Sequence, residues 1–341
     1  MLVFIVRRLA IFLPMLFFIS VLTFVLIQLP PGDFIDDYAA MIALGASGGT
    51  GPASFGEEVN QAELEFLRKR YGLDQPIYIQ YLKWLRGVVT WDLGLSFIYR
   101  LPVNELINAR LANTLILSVF TILFTWTLAI PVGIISAVKQ YSWIDYIFTF
   151  LSYFGIGTPN FMIALVALWL VFTIWHQPLG GLYSREYIDA PWSIGKVIDL
   201  LKHLWVPMII VGTDGTARLT RIVRANLLDE LGKPYVEAAR SRGTDELKVV
   251  VKYPTRIALN PFISVVGWTL PSLFSGSLII AVVLALPTIG PLLLEALRGQ
   301  DMYMAGSILL VLSFLTLVGT LVSDILLAWA DPRIRYGGAQ G

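Results

Sequence analysis

Five long stretches of this chain contain no Asp, Glu, Lys or Arg: Leu9–Gly32, Leu111–Val138, Tyr146–Ser184, Ile257–Leu294 and Met302–Ser323. A membrane-spanning helix needs about 20 largely apolar residues, so each stretch is long enough to cross a bilayer. Of all residues, 56% are hydrophobic and only 14% are charged, which excludes a disordered chain and argues against a soluble one. The sequence therefore predicts an all-α, polytopic membrane protein.

The basic segments of the chain decide how many times it crosses. A sixth, weaker candidate span begins at Leu204, where an apolar run meets Asp214. The segment Arg218–Arg256 carries nine Lys and Arg residues, and short segments of this kind stay in the cytoplasm. This segment lies on the same side of the membrane as Arg7 and Arg8 only if the sixth candidate span crosses the bilayer. We therefore predict six transmembrane helices with both termini in the cytoplasm.

This topology divides the chain into four parts. They are a tail and first transmembrane helix (1–29), an extracytoplasmic helical segment (30–110), a core of five helices (111–331) and a cytoplasmic tail (332–341). The outer segment is too long for its charges to determine its side, and about 80 residues of this kind are too few for a confident independent core.

The outer segment is predicted to hold two short amphipathic helices. The first carries Leu64 and Leu67 on one face and ends near Gly72. The second is predicted to run from Pro76 to Gly87, with three apolar side chains turned inward: Ile77, Tyr81 and Leu85.

The basic segment after the sixth candidate span is predicted to form two short helices joined by a turn. Pro234 suits the first position of a helix, and Gly243 allows the left-handed residue that ends one. Thr244 is expected to cap the second helix, and Pro254 marks the latest point to which that helix runs unbroken.

The first of these helices has the composition of a docking element. Ala238 and Ala239 are small enough to let the backbone sit deep in a partner's groove. Charged contacts are expected from Glu237, Arg240 and Arg242. The alternative is an amphipathic helix that lies on an anionic membrane surface.

The sequence EAARSRG at Glu237–Gly243 resembles the EAA motif of bacterial ABC importer permeases. Further matches follow in chain order: VRRL, LPPGD, LDQPIYIQYLKWL, DLGLSF, ARLTRIVRANLLDEL, LPTIG and DPRIRYG. Together they resemble the B subunits of oligopeptide and dipeptide permeases over nearly the whole chain. The resemblance implies a type I importer permease in the bacterial inner membrane that carries peptides. Oligosaccharides, opines, glutathione and nickel, which similar permeases carry, are alternative solutes.

The resemblance also implies partners and a coupling site. The partners are a second homologous permease, two ATP-binding subunits, an extracytoplasmic solute-binding protein and membrane lipid. The coupling loop is placed at 226–256, with ATPase-coupling residues Tyr235, Glu237, Ala238, Ala239, Arg240, Arg242 and Gly243. The chain has no GxxxxGK[ST] phosphate-binding loop, so we expect a non-catalytic subunit without a cofactor, whose partners use ATP and Mg. A net charge of +1 argues against nucleic acid as a partner.

Other polar residues in or near the spans each have a functional and a structural interpretation. Asp214 and Arg218 are candidates for the translocation path or its gate, and a structural ion pair near the cytoplasmic interface is the alternative. His176 and His203 are expected to be interfacial and not to form a metal site. A secondary transporter or an intramembrane enzyme is a remote alternative, because no internal repeat and no set of catalytic groups is found.

Overall fold

The computed structural model of the chain describes residues 2–29, 69, 75–96, 98–175, 180–188, 190–259, 278–299 and 301–330. Within these residues the chain is α-helical, and their only β-type pairing is an isolated bridge between Leu95 and Pro102. The helices are α1 (Leu2–Gln28), α2 (Ile77–Thr90), α3 (Val103–Val138), α4 (Trp143–Gly157), α5 (Asn160–Trp175), α6 (Ile194–Leu231), α7 (Pro234–Ser241), α8 (Glu246–Lys252), α9 (Pro254–Ala258), α10 (Leu278–Val283), α11 (Ile289–Arg298) and α12 (Met302–Ala330).

Three helices of the described part are long and apolar enough to cross a membrane. They contain the segments Ile5–Leu26, Val103–Val138 and Met302–Leu326. The pair α4 and α5, which bend by 101° where they meet, provides a fourth if the two count as one span. These helices confirm the all-α, membrane-embedded class.

Two of the predicted spans have different bounds in the structure. The stretch Tyr146–Ser184 was expected to provide one transmembrane helix, but its helix begins earlier, at Trp143, and breaks after Gly157. Pro159 follows the break and has no N–H with which to continue the helix. The weak span at Leu204 is part of a single helix of 38 residues, α6, into which Asp214 fits without a break.

The described residues group into two compact units. The first comprises residues within Met1–Val6, Asn113–Pro287 and Thr316–Gly341, and the second residues within Arg7–Ala112 and Thr288–Leu315. The second unit therefore combines residues of the predicted outer segment with a later part of the chain.

In the first unit, α6 packs closely on α3 and α4 through glycines. A Cβ atom added to Gly133 of α3 would lie 2.7 Å from the Val223 Cβ and 2.9 Å from the Thr220 carbonyl oxygen. One added to Gly155 of α4 would lie 3.2 Å from the Ala217 Cβ. Small residues allow such close backbone contact between membrane helices, where packing itself drives association.

In the second unit, an apolar cluster joins the turn after α2 to α3, α11 and α12. Leu93, Ile107, Leu292 and Met304 are among its buried members. The fully buried Asp301 accepts hydrogen bonds from the Ser96 hydroxyl at 2.6 Å and from the Met304 N–H at 3.1 Å. This carboxylate thus caps α12 and fixes the turn around residue 96.

Helix α2 differs from its predicted form. It ends at Thr90 and not at Gly87, because the left-handed residue that stops it is Trp91, with φ 60°. Gly87 instead allows the Asp92 carbonyl to approach, since a Cβ there would lie 2.6 Å from that oxygen.

Of the three side chains of α2 that were predicted to face inward, one does not. Ile77 is 63% exposed, so its inward placement was wrong. Tyr81 and Leu85 do pack inward, on Phe24, Trp84 and Tyr303; Leu64, Leu67 and Gly72 lie outside the described residues.

Candidate functional site

The loop that follows α6 consists of α7, α8 and α9 in close succession. Pro234 occupies the first turn of α7, as predicted. Gly243, which follows this helix, has φ +72°, so the predicted left-handed conformation is confirmed. The prediction that Thr244 caps α8 is wrong. Its backbone N–H is directed back to the Ala239 carbonyl at 3.4 Å, and the residue before α8 is Asp245, which makes no side-chain cap.

This loop has a buried apolar side. Val236 of α7 and Val249 of α8 are fully buried, and Val250 is almost so. Ala137, Leu227 and Ala258 form a buried cluster that joins the ends of α3, α6 and α9. Burying each valine contributes about 1.5 to 3 kcal/mol, and the cluster at Ala258 holds the end of the loop on α3 and α6.

The predicted docking residues divide into exposed and inward positions. Glu237, Ala238, Arg242 and Gly243 are exposed, and a Cβ added to Gly243 would meet nothing within 4 Å. Ala239 is half-buried, because it lies three residues after the buried Val236 on the same helical face. Ala238 is therefore the small residue that the surface of α7 presents.

Two further predicted residues make contacts within the chain. The Tyr235 hydroxyl donates a 2.6 Å hydrogen bond to the Glu230 carboxylate near the end of α6. Partial burial and this hydrogen bond raise the pKa of Tyr235 to about 12, so the hydroxyl keeps its proton at neutral pH. The contact ties the first turn of α7 to α6.

Arg240 and Glu246 connect α7 to α8 across the turn at Gly243. The Arg240 Nη2 lies 2.6 Å from Glu246 Oε1, and its Nε lies 3.0 Å from Oε2. The guanidinium lowers the pKa of the Glu246 carboxyl through these hydrogen bonds. Arg240 thus braces the angle between the two helices within the chain itself.

Asp214 and Arg218 form the ion pair that their spacing predicted. The Arg218 Nε lies 2.9 Å from both carboxylate oxygens of Asp214, and the Arg218 side chain is 63% exposed. The pair does not join the loop, because Asp214 lies 17 residues before the end of α6, a distance of about 25 Å along a helix.

The sequence analysis missed a second ion pair, between Asp145 and Arg224. The Arg224 Nε and Nη2 lie 2.8 and 2.7 Å from the two carboxylate oxygens of Asp145, whose side chain is only 3% exposed. One signal was available, since Ser142 and Asp145 have the spacing of a capping pair, and the Ser142 hydroxyl accepts from the Asp145 N–H at 3.3 Å. Nothing local indicated Arg224 as the partner.

Of the two histidines, only His203 lies among the described residues. The His203 Nδ1 lies 2.8 Å from the Asp199 carbonyl oxygen, within its own helix. The Asp199 carboxylate accepts hydrogen bonds from the backbone N–H and the hydroxyl of Ser184, and its Oδ1 lies 3.6 Å from the His203 Nδ1. His176 lies outside the described residues.

Comparison with known proteins matches two family models to this chain. Residues 129–336 match the binding-protein-dependent transport system inner membrane component, and residues 1–118 match the N-terminal part of such membrane components. The chain is 34% identical to the oligopeptide transport system permease protein AppB of Bacillus subtilis, over 98% of this chain and 99% of that protein. It is 31% identical to the dipeptide transport system permease protein DppB of Escherichia coli K12, again over 98% and 99%. A putative peptide permease protein of Brucella suis is 33% identical over 96% of this chain and 98% of its own length.

Proposed function

The chain belongs to the family of binding-protein-dependent transport system inner membrane components, and we propose that it forms half of the translocation path of an ATP-driven peptide importer. Relatives named as oligopeptide and dipeptide permeases, similar over almost their full length, support peptides as the solute. The other half of the path is a second, homologous permease. Two ATP-binding subunits and an extracytoplasmic solute-binding protein complete the importer, and ATP and Mg belong to those ATP-binding subunits.

Six crossings with both termini in the cytoplasm complete the proposed architecture. The long apolar helices α1, α3 and α12 and the bent pair α4–α5 support four of them. Helix α6 supplies another, and the last is assigned to the apolar stretch Ile257–Leu294. This count puts the loop after α6 in the cytoplasm, as its basic residues require.

One observation carries the coupling role: the loop is buried on one side and open on the other. Val236 on α7 and Val249 on α8 are fully buried. Glu237 and Ala238 on α7, and Arg242 directly after it, are exposed. A short helix that is fixed at its base and has a small residue at its exposed centre fits a cleft in an ATP-binding subunit. Movement of that subunit during ATP hydrolysis then reaches α6 through the two-residue connection at Gly232 and Lys233.

Asp214 and Arg218 are proposed to line the translocation path or its gate. Their partial exposure on α6 supports this role, because an ionised pair within a span needs protein or water and not lipid around it. The pair lies on α6, the helix that leads through Gly232 and Lys233 into the coupling loop. A shift of the loop that passes this connection reaches the pair along a single helix.

The docking role is tested with Ala238→Trp, using Ala238→Ser as the matched small variant. We expect the ATP-binding subunits to co-purify with the wild type and with Ala238→Ser, and to be lost with Ala238→Trp. The reason is that overpacking a close contact costs about 1 to 3 kcal/mol. Retention of the ATP-binding subunits by Ala238→Trp would contradict docking at this surface. Solute uptake by the chain alone in liposomes would favour a secondary transporter.

The topology is tested by introducing single cysteines into a chain that has none. An impermeant maleimide applied to intact spheroplasts should label Glu186→Cys, in the second outer loop. It should label Ser241→Cys, at the end of α7, only after permeabilisation, because six crossings place that loop inside. Prompt labelling of Ser241→Cys in intact cells would overturn the topology.

A further inference from the structure

Two arginines clamp the C-terminal half of α6 onto α4, and the proposed function uses neither. Arg224 forms the forked contact with Asp145 described above. Arg221 lies over the ring of Tyr153, with its guanidinium carbon 4.6 Å from the ring centroid. Asp145 and Tyr153 are eight residues apart, which corresponds to about two turns of helix. The clamp thus runs along α4 and is not a single point.

Residues from several elements of the first unit donate hydrogen bonds to the Asp145 carboxylate. It accepts hydrogen bonds from the Tyr141 backbone N–H at 3.0 Å, from the Thr149 hydroxyl at 3.3 Å and from the Ser136 hydroxyl. The end of α3, the turn before α4, α4 itself and α6 therefore meet at one buried anion. Separating the two charges would leave each of them uncompensated, so the ion pair strongly favours the packing of α6 on α4.

The clamped segment lies between two joints. At one end, α6 leads through Gly232 and Lys233 into the coupling loop. At the other, α4 ends at Gly157 and the chain bends by 101° into α5. Between these joints, the close contact of Gly155 with Ala217 adds packing to the two arginine contacts.

We propose that α4 and the C-terminal half of α6 move as one rigid lever, which transmits displacement of the coupling loop to the bend before α5. Asp145 and Arg224 are the positioning residues of this lever. The inference rests on the proposed function, because the displacement originates in the ATP-binding subunits. It assigns a role in the transport cycle to a pair on α4 and α6 that lies outside the coupling loop.

The first test measures solute taken up per ATP hydrolysed, in liposomes that contain all partner subunits. We expect Asp145→Asn to assemble and hydrolyse ATP but to lose about tenfold in uptake per ATP, a typical size for coupling between sites. Arg224→Lys keeps the charge but not the fork, so we expect a smaller loss. Lys202→Gln removes an exposed cation from the same helix and should match the wild type.

The second test replaces the ion pair by a covalent bond. Cysteines at Gly155 and Ala217 would place their Cβ atoms 3.2 Å apart, so a small separation of α4 and α6 brings them to the distance of about 3.5 to 4.5 Å that a disulfide needs. The wild type has no cysteine that would compete. In the Asp145→Asn background, oxidation of this pair should restore uptake per ATP, and reduction should remove it again. In the wild-type background, the disulfide should leave uptake unchanged.

Three results would overturn the lever. They are normal uptake per ATP in Asp145→Asn, no rescue by the disulfide, and a block of uptake when the disulfide forms in the wild-type background. If Asp145→Asn does not accumulate, Arg224→Lys and the wild-type disulfide decide the question. Failure of the proposed function looks different, because the wild type itself would then show no ATP-dependent uptake.

Discussion

Replacing Gly243 by valine is expected to abolish coupled uptake while the membrane-embedded helices stay folded. Gly243 has φ +72°, and nothing lies within 4 Å of a Cβ at this position. The effect must therefore come from the backbone and not from a clash. A left-handed conformation costs a non-glycine residue about 1 to 2 kcal/mol, and a β-branched residue more. The turn would relax, the contact between Arg240 and Glu246 would be lost, and α7 would be aimed away from its cleft.

Two variants isolate this backbone effect. Gly243→Asn should retain uptake, because asparagine tolerates the left-handed region. Gly232→Val introduces the same side chain at an equally open position that has φ −82°, and it should also retain uptake. The measurement is uptake and ATP hydrolysis stimulated by the loaded solute-binding protein. Wild-type values in Gly243→Val would contradict the coupling role and favour a loop that lies on the membrane surface.

Replacing Gly133 by leucine is expected to remove most of the folded protein from the membrane. A Cβ at this position would lie 2.7 Å from the Val223 Cβ and 2.9 Å from the Thr220 carbonyl oxygen. The carbonyl belongs to the backbone of α6 and cannot rotate away, so α3 and α6 would have to separate. Overpacking costs about 1 to 3 kcal/mol in soluble cores. Leucine should reach or exceed that range here, because close helix packing is what holds a membrane bundle together.

The matched control for this prediction is a second helical glycine. Gly157 ends α4, and a Cβ there would meet nothing within 4 Å. Comparing Gly133→Ala with Gly157→Ala therefore separates the clash from the general effect of removing a glycine. The measurements are the yield of monodisperse protein in detergent and its thermal unfolding midpoint. Equal yields for the two alanine variants would show that α3 and α6 are less tightly packed than the structure has them.

Local signals in the sequence predicted local structure well. Pro234 begins α7 and Gly243 takes the left-handed conformation, since each residue's own geometry decides the matter. The pair Asp214 and Arg218 was predictable because residues four apart on a helix are neighbours. The family was also predicted, because its motifs recur in order along the chain, and the matches to both family models confirm it.

Long-range features were not predictable in the same way. Asp145 and Arg224 are 79 residues apart, and nothing near either one specifies the other. Gly87 was predicted to end α2, but it is a point of close backbone approach, which depends on where Asp92 lies in space. Ala238 is exposed and Ala239 is half-buried, and this difference depends on the burial of Val236 on the same helix. Each of these properties comes from packing between elements, and the spacing of residues along the chain does not contain it.

The bend between α4 and α5 has a consequence for hydration. Helix ends leave N–H and C=O groups without intrahelical partners, and Pro159 cannot supply a donor across the break. The Asn160 Oδ1 is also buried there, and no donor among the described residues reaches it. Because hydrocarbon satisfies none of these groups, such a corner persists at membrane depth only against protein or in a wetted cavity. The amide hydrogens of Asn160 and Phe161, in the first turn of α5, should therefore exchange with deuterated solvent far sooner than those in the middle of α1.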